Sequence, residues 1–266
     1  MRGRSTGVAY DVTTLALVFA AVFAGGLVTG VTGFGYAIVA TATLASLLEP
    51  RTAIVVVILP ILAANLSLVT ELDRAGLRSC VRRFWAFVAA GAVGTVAGMV
   101  ALTRIPAAPL SAGLGLFTLG YVAVSQPWIG LPGQRRFESF CLVETHARKG
   151  LLGVAAGLVF GASNVGVQVV AYLRSLDLDH ETFVGVVAMI FLGVGTVRVA
   201  TAWLLGLYGS SSLLAVSAAA AVPGLVGVTA GKRLRPMITS RRRDAAVYTM
   251  LVVIGVRLAG AGLAGL

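Results

Sequence analysis

Gly26-Leu-Val-Thr-Gly-Val-Thr-Gly-Phe-Gly35 returns 131 positions later as Gly157-Leu-Val-Phe-Gly-Ala-Ser-Asn-Val-Gly166, with half of its residues unchanged. A second pair agrees, because Gly91-Ala-Val-Gly-Thr-Val-Ala-Gly98 matches Gly224-Leu-Val-Gly-Val-Thr-Ala-Gly231 at an offset of 133. Two matches at nearly one offset mark an internal duplication. In a chain this apolar, a duplicated segment interrupted by glycine is the sequence mark of a transport fold whose binding site lies between its halves.

The composition places the chain in a bilayer. Of 266 residues 58% are hydrophobic and 12% charged, and the mean hydropathy is +0.95. No single soluble domain of that size hides so much apolar surface. Six runs approach the ~20 residues needed to cross: 52–69, 84–102, 110–128, 183–208, 213–231 and 245–266. Strand-like alternation is absent, which excludes a β-barrel.

The net charge of +11 first suggests nucleic acid, but its distribution points elsewhere. Of the 21 Lys and Arg residues, four lie in 71–83, four in 130–149 and six in 232–243, all between apolar runs. That clustering is the positive-inside pattern of a membrane protein. The basic segments carry no nucleic-acid-binding motif, so nucleic acid is not expected as a partner and contact with anionic membrane lipid is. Cys80 and Cys141 both fall in basic segments, on the reducing side, and no disulfide is expected. The start, Arg2 and Arg4 followed by an apolar stretch, resembles a signal peptide, but the duplicated unit begins inside that stretch, so removal is not expected.

The expected fold is an all-α integral membrane protein built as an inverted internal repeat. Each half is a broken or re-entrant helical hairpin followed by three transmembrane helices. The first half is 1–129, with its hairpin at 15–48 and helices at 52–69, 84–102 and 110–128. A cytoplasmic linker follows at 130–149. The second half is 150–266, with its hairpin at 151–176 and helices at 183–208, 213–231 and 245–266. The apolar stretches Leu151–Ser163 and Val165–Leu176 are too short to span the apolar slab alone, so the second hairpin is read as re-entrant. The stretch Leu15–Thr32 is long enough to cross, and two full crossings remain open there. Inversion follows from charge: segment 71–83 has four Arg where its counterpart 206–210 has none, while 103–109 has one where 232–243 has six. Both termini then lie outside, a placement that Arg2 and Arg4 oppose.

Broken backbone at membrane depth is tolerated only where protein or a watery cavity satisfies its polar groups. Two breaks approaching from opposite faces imply a shared cavity, into which the next helices direct free N–H groups and positive dipole ends. Such ends favour anions. The candidate substrate-binding residues are therefore Thr32, Gly33, Phe34, Gly35 and Tyr36 in the first break, and Ser163, Asn164, Gly166 and Gln168 in the second. Thr32, Ser163 and Asn164 are expected to supply N-cap oxygens. Gly30 and Gly161 serve either the site or tight helix packing. Asn65 joins the candidates from the first crossing, and Arg198 as an arginine well inside a span, facing either an anion or, by snorkelling, the outer headgroups.

What is missing bounds the chemistry. No Asp, Glu or His falls within the apolar runs, so no carboxylate proton relay and no intramembrane protease centre can be assembled. HExxH, CxxC and GxxxxGK[ST] are all absent, and neither an enzyme activity nor a cofactor or metal is expected.

The stretch Gly26 to Ala40, followed by Leu-Leu-Glu-Pro50 and Ala53, resembles the sulfite exporter TauE/SafE family of membrane permeases, and the likeness extends through Gly166 over nearly the whole chain. The resemblance implies export or uptake of small sulfur-containing anions such as sulfite, sulfoacetate or other organosulfonates, in the cell (plasma) membrane. Phe34, Tyr36 and Asn164 depart from the family's richer glycine cluster. The expected partners are thus a small anionic substrate and membrane lipid, with a homo-oligomer left open. The alternatives are a permease for another small anion such as a carboxylate, and a non-transporting membrane scaffold.

Overall fold

The computed structural model describes residues 11–70, 72–124, 146–164, 166–174, 180–209, 211–237 and 240–265, and every regular element among them is helical. The first half contains α1 (Val12–Thr32), α2 (Tyr36–Ala45), α3 (Pro50–Val56), α4 (Ile58–Val69), α5 (Arg74–Arg104) and α6 (Ala107–Val124). The second contains α7 (His146–Ser163), α8 (Val167–Arg174), α9 (His180–Leu204), α10 (Ser211–Leu234), a 3₁₀ turn at Arg235–Met237, and α11 (Ser240–Ala264). Most of the linker 130–149, together with Cys141, Arg2 and Arg4, lies outside the described residues.

Among the described residues five helical stretches are long and apolar enough to cross a membrane: Val12–Thr32, Pro50–Val69, Gly76–Arg104, Thr182–Leu204 and Ser211–Met237. Four of these correspond to expected crossings. The fifth is α1, so of the two readings open for the first hairpin its leading helix has crossing length, while the 10-residue α2 does not. The other two expected crossings, 110–128 and 245–266, have shorter described apolar stretches, Ala107–Gly120 and Leu251–Ala264.

Helix ends depart from the apolar runs because helical hydrogen bonding does not stop where hydrophobicity does. Asp73 caps α5, its carboxylate accepting the Gly76 N–H at 2.7 Å, so the arginines of 74–83 lie on helix rather than loop. Glu49 likewise caps α3 through the Thr52 N–H at 2.8 Å, with Pro50 in the first turn. In the second half α7 starts at His146, inside the expected linker.

Helices pair in a crossed pattern. α1 packs along α10 and α7 along α5, so each half's leading helix lies on the other half's second crossing. α6 packs on α11 and α4 on α9, which are counterparts under the duplication. Exchanging the halves maps the first two pairs onto each other and each of the last two onto itself. The seams are glycine-lined: a Cβ on Gly26 would meet the Gly224 carbonyl oxygen and one on Gly157 that of Gly91, both closer than any real contact. The matched segments at offsets 131 and 133 are thus the two sides of one seam, made twice. Gly30 and Gly161 take the packing role, against Val228 and Gly231 in one seam and Thr95 and Met99 in the other. Small residues allow backbones this close, where dispersion and Cα–H···O contacts replace the hydrophobic effect that lipid removes.

Candidate functional site

Each half breaks its leading helix in the same way. α1 ends when Gly33 turns left-handed (φ 85°), its N–H returning to the Thr29 carbonyl at 2.7 Å, and α2 starts after Gly35 (φ 100°). In the second half Asn164 takes the place of Gly33 and is itself left-handed (φ 63°), its N–H returning to the Phe160 carbonyl at 2.9 Å. Asparagine is one of the few side-chain-bearing residues that tolerate this region.

The two breaks meet at one cavity of about 40 Å³. From the first break it is lined by Gly33, Phe34, Gly35 and the first turn of α2, and from the second by Phe160, Gly166 and Val170. Ile61 and Asn65 of α4 and Val187 and Phe191 of α9 close it. The volume holds about three waters, the scale of an inorganic oxyanion rather than of a sugar. Among the described residues no charged side chain lines it. Its polar groups are the first N–H groups of α2, which have no acceptor within their own helix, the Asn65 amide, and the Thr29 hydroxyl, which is buried and accepts or donates no hydrogen bond among the described residues.

The sequence candidates separate into two groups. Gly33, Phe34, Gly35, Tyr36, Asn65 and Gly166 are brought together around the cavity. Phe34 is held there by an edge-on contact with Phe183, ring centroids 6.3 Å apart. Tyr36 contributes its inner atoms, while its hydroxyl lies against Gly224 in the α1–α10 seam. Asn65 gives one N–H to the Ile61 carbonyl at 2.9 Å. The others are turned elsewhere. Thr32 donates back to the Val28 carbonyl at 2.9 Å, and Ser163 to the Val159 carbonyl at 2.7 Å. The expected N-capping by Thr32 is corrected: the cap of α2 is Gly35, with no side-chain bond, and the Thr32 hydroxyl closes α1 while its oxygen accepts the Phe34 N–H at 3.3 Å within the break. Gln168 lies in the first turn of α8, with its side chain outside the described residues.

Asn164 is a brace between halves. Its amide nitrogen donates to the Thr41 hydroxyl at 2.8 Å and the Ile54 carbonyl at 2.9 Å, joining the second break to α2 and α3. Two demands fall on one residue: a left-handed backbone and a pair of donors. Thermal stability in detergent is expected to fall in the order wild type, Asn164→Gly, Asn164→Leu. Glycine loses the bonds at a cost of about 1–3 kcal/mol, and leucine adds left-handed strain of about 1–2 kcal/mol. A leucine variant as stable as wild type would remove the brace.

Arg198 lies outside the cavity wall but against it. It is 1% exposed, donates to the Gly161 carbonyl at 3.3 Å and stacks its guanidinium 5.0 Å from the centre of the Phe160 ring. It therefore does not snorkel to the headgroups. The carbonyl it serves is among the last of α7, and in the first half Arg235 serves the equivalent Gly30 carbonyl at 3.0 Å.

Thr29, Phe160 and Phe191 are lining residues that the sequence reading passed over. Thr29 and Phe160 stand at equivalent positions in the duplication, one turn before each break, and that equivalence is the signal that would have found them.

Comparison with known proteins adds a family. The family model described as sulfite exporter TauE/SafE matches residues 17–258, nearly the whole chain. No match is found among curated proteins or among solved structures.

Proposed function

Because the chain belongs to the sulfite exporter TauE/SafE family of membrane transport proteins, we propose that it is a permease for a small sulfur-containing anion, sulfite or an organosulfonate, bound in the cavity between the two helix breaks. The observation that carries this reading is that both breaks of the duplication, 131 residues apart, line a single small void. That void offers an anion what it needs at modest desolvation cost: unpaired N–H groups at the start of α2, the positive end of that helix's dipole, and neutral amide and hydroxyl donors from Asn65 and Thr29. A site without a fixed cation holds its anion weakly enough to release it, as turnover requires.

The halves are read as inverted. Opposite charge bias of equivalent segments supports this, as does the crossed pairing of α1 with α10 and α7 with α5. In the plasma membrane such an arrangement would expose the cavity to one face and then the other as one half rocks against its counterpart.

Reconstituted protein is expected to carry radiolabelled sulfite or a short sulfonate across liposomes with saturable kinetics, and acetate more slowly. Measuring each with and without an imposed pH gradient reports whether a proton travels with the anion. Absence of saturable flux for every anion in the panel would favour a scaffold.

A further inference from the structure

Beyond the cavity wall lies a second buried polar cluster, built around Arg198, that does not line the cavity. Val187, Phe191, Val194 and Arg198 recur at helical spacing on one face of α9, so Arg198 stands on the cavity-facing stripe two turns past Phe191. Its Nε and Nη1 have no hydrogen-bond partner among the described residues. The same is true of the Tyr208 hydroxyl, on the segment after α9, and of the Ser217 hydroxyl on α10. All three side chains are buried, and they are neighbours: the Tyr208 phenol lies within electrostatic reach of the Arg198 guanidinium and beside the Ser217 hydroxyl.

The sequence supplies no counter-charge. Neither Asp nor Glu occurs between Glu181 and Asp244, between Glu144 and Asp177, or between Asp73 and Glu138, which covers α5, α7, α10 and all of α9 beyond Glu181. A guanidinium stays protonated, and burying it without a carboxylate leaves an unmet electrostatic demand. One carbonyl and one aromatic face answer only part of it. An oxyanion answers the rest, because the guanidinium edge matches two oxygens of a sulfonate, sulfite or carboxylate. Tyr208 and Ser217 each add a hydroxyl that can donate.

We propose that Arg198, Tyr208 and Ser217 form a second anion station, and that the Phe160 ring is the partition between it and the cavity. Phe160 lines the cavity, stacks against Phe191 with centroids 5.0 Å apart, and carries the Arg198 guanidinium over its ring. The Phe160 ring thus touches both the cavity and the Arg198 guanidinium. The station sits near the end of α9 and the start of α10, the end of the bundle opposite Lys232 and Arg233. It is thus a way-point on one side of the cavity, and its role in transport rests on the reading of the cavity as an anion site.

The test is equilibrium binding of radiolabelled sulfite, methanesulfonate and acetate to full-length protein in nanodiscs of neutral lipid. Wild type is expected to show two binding phases with at least one of these anions. Arg198→Gln should lose one and leave the other at wild-type affinity, Arg198→Lys should keep both phases with that one weakened because an ammonium cannot offer the guanidinium's paired donors, and Tyr208→Phe and Ser217→Ala should each weaken the same phase roughly tenfold. The last two variants are nearly isosteric and decide the matter if Arg198→Gln fails to fold. A single phase that Asn65→Leu removes and all the station variants leave intact overturns the second station while the cavity reading stands. A single phase removed by Arg198→Gln and untouched by Asn65→Leu keeps the station and overturns the cavity site. No binding of any probe overturns both.

Discussion

Gly157→Leu is expected to yield almost no monodisperse protein, whereas Gly113→Ala, on an exposed stretch of α6, should match or exceed wild type in stability. The contrast separates a glycine demanded by its neighbour from a glycine that is only tolerated. A Cβ at Gly157 would lie 2.0 Å from the Gly91 carbonyl oxygen, and within 3 Å of two further backbone atoms of that residue, while one at Gly113 meets nothing within 4 Å. Backbone cannot rotate out of the way as a side chain can. The α5–α7 pair would have to separate along its length, giving up the contacts that hold helices together in lipid. Ordinary overpacking costs about 1–3 kcal/mol, and a clash with main chain at the centre of a seam should exceed it. At Gly113 the added methyl only improves helix propensity, by about 1 kcal/mol. Fluorescence-detected size exclusion after a heating series reads both outcomes. A Gly157→Leu variant that elutes and melts like wild type would mean that the two helices are not held this closely.

Asn65→Leu is expected to weaken anion binding, and flux at subsaturating anion, roughly ten- to hundredfold while leaving the melting temperature within a few degrees of wild type. Asn65 is the only side-chain amide lining the cavity among the described residues, and leucine has nearly its shape. Its bond to the Ile61 carbonyl is within its own helix, so losing it costs little of the fold. What disappears is a donor facing the solute. A hydrogen bond to a charged partner is worth about 1.5–3 kcal/mol, or roughly ten- to hundredfold in affinity, and in a void without any cation few other donors remain to compensate. Flux in proteoliposomes at saturating anion, set beside the binding constant, separates weaker binding from slower movement. Undiminished transport by Asn65→Leu would move the site away from this cavity.

How far the sequence discloses such a site depends on the kind of force at work. The duplication and the breaks are legible because backbone geometry demands glycine or asparagine at fixed places: Gly33, Gly35 and Asn164 take left-handed conformations that few residues accept. The pairing of breaks across one cavity follows from their equivalence. Side-chain direction is not legible in the same way. Asn164 and Thr32 look like ligands because they are polar and sit at a break, yet one braces the opposite half and the other closes its own helix. A polar group in an apolar slab takes the nearest partner, and one chain's spacing does not say which partner is nearest. Gly30 and Gly161 read equally well as site or seam until the opposing helix is known. Phe160 and Phe191 escape notice for the opposite reason, since aromatic residues in an apolar helix carry no mark of the empty space they face. The early start of α7 at His146 was hidden because charge, not helix propensity, defined the expected edge.

The crossed seams bear on how the polypeptide is assembled during synthesis. α1 is made first, but its companion α10 is made after α9, so the first helix must wait in the bilayer while most of the protein is still emerging. The same holds in reverse for α7, which finds α5 already in place. Neither half owns a complete interior, and long-range pairing of this kind slows folding. Truncation after the first half should therefore leave an orphan that cellular quality control removes, and supplying the missing half as a separate chain is the condition under which it would survive.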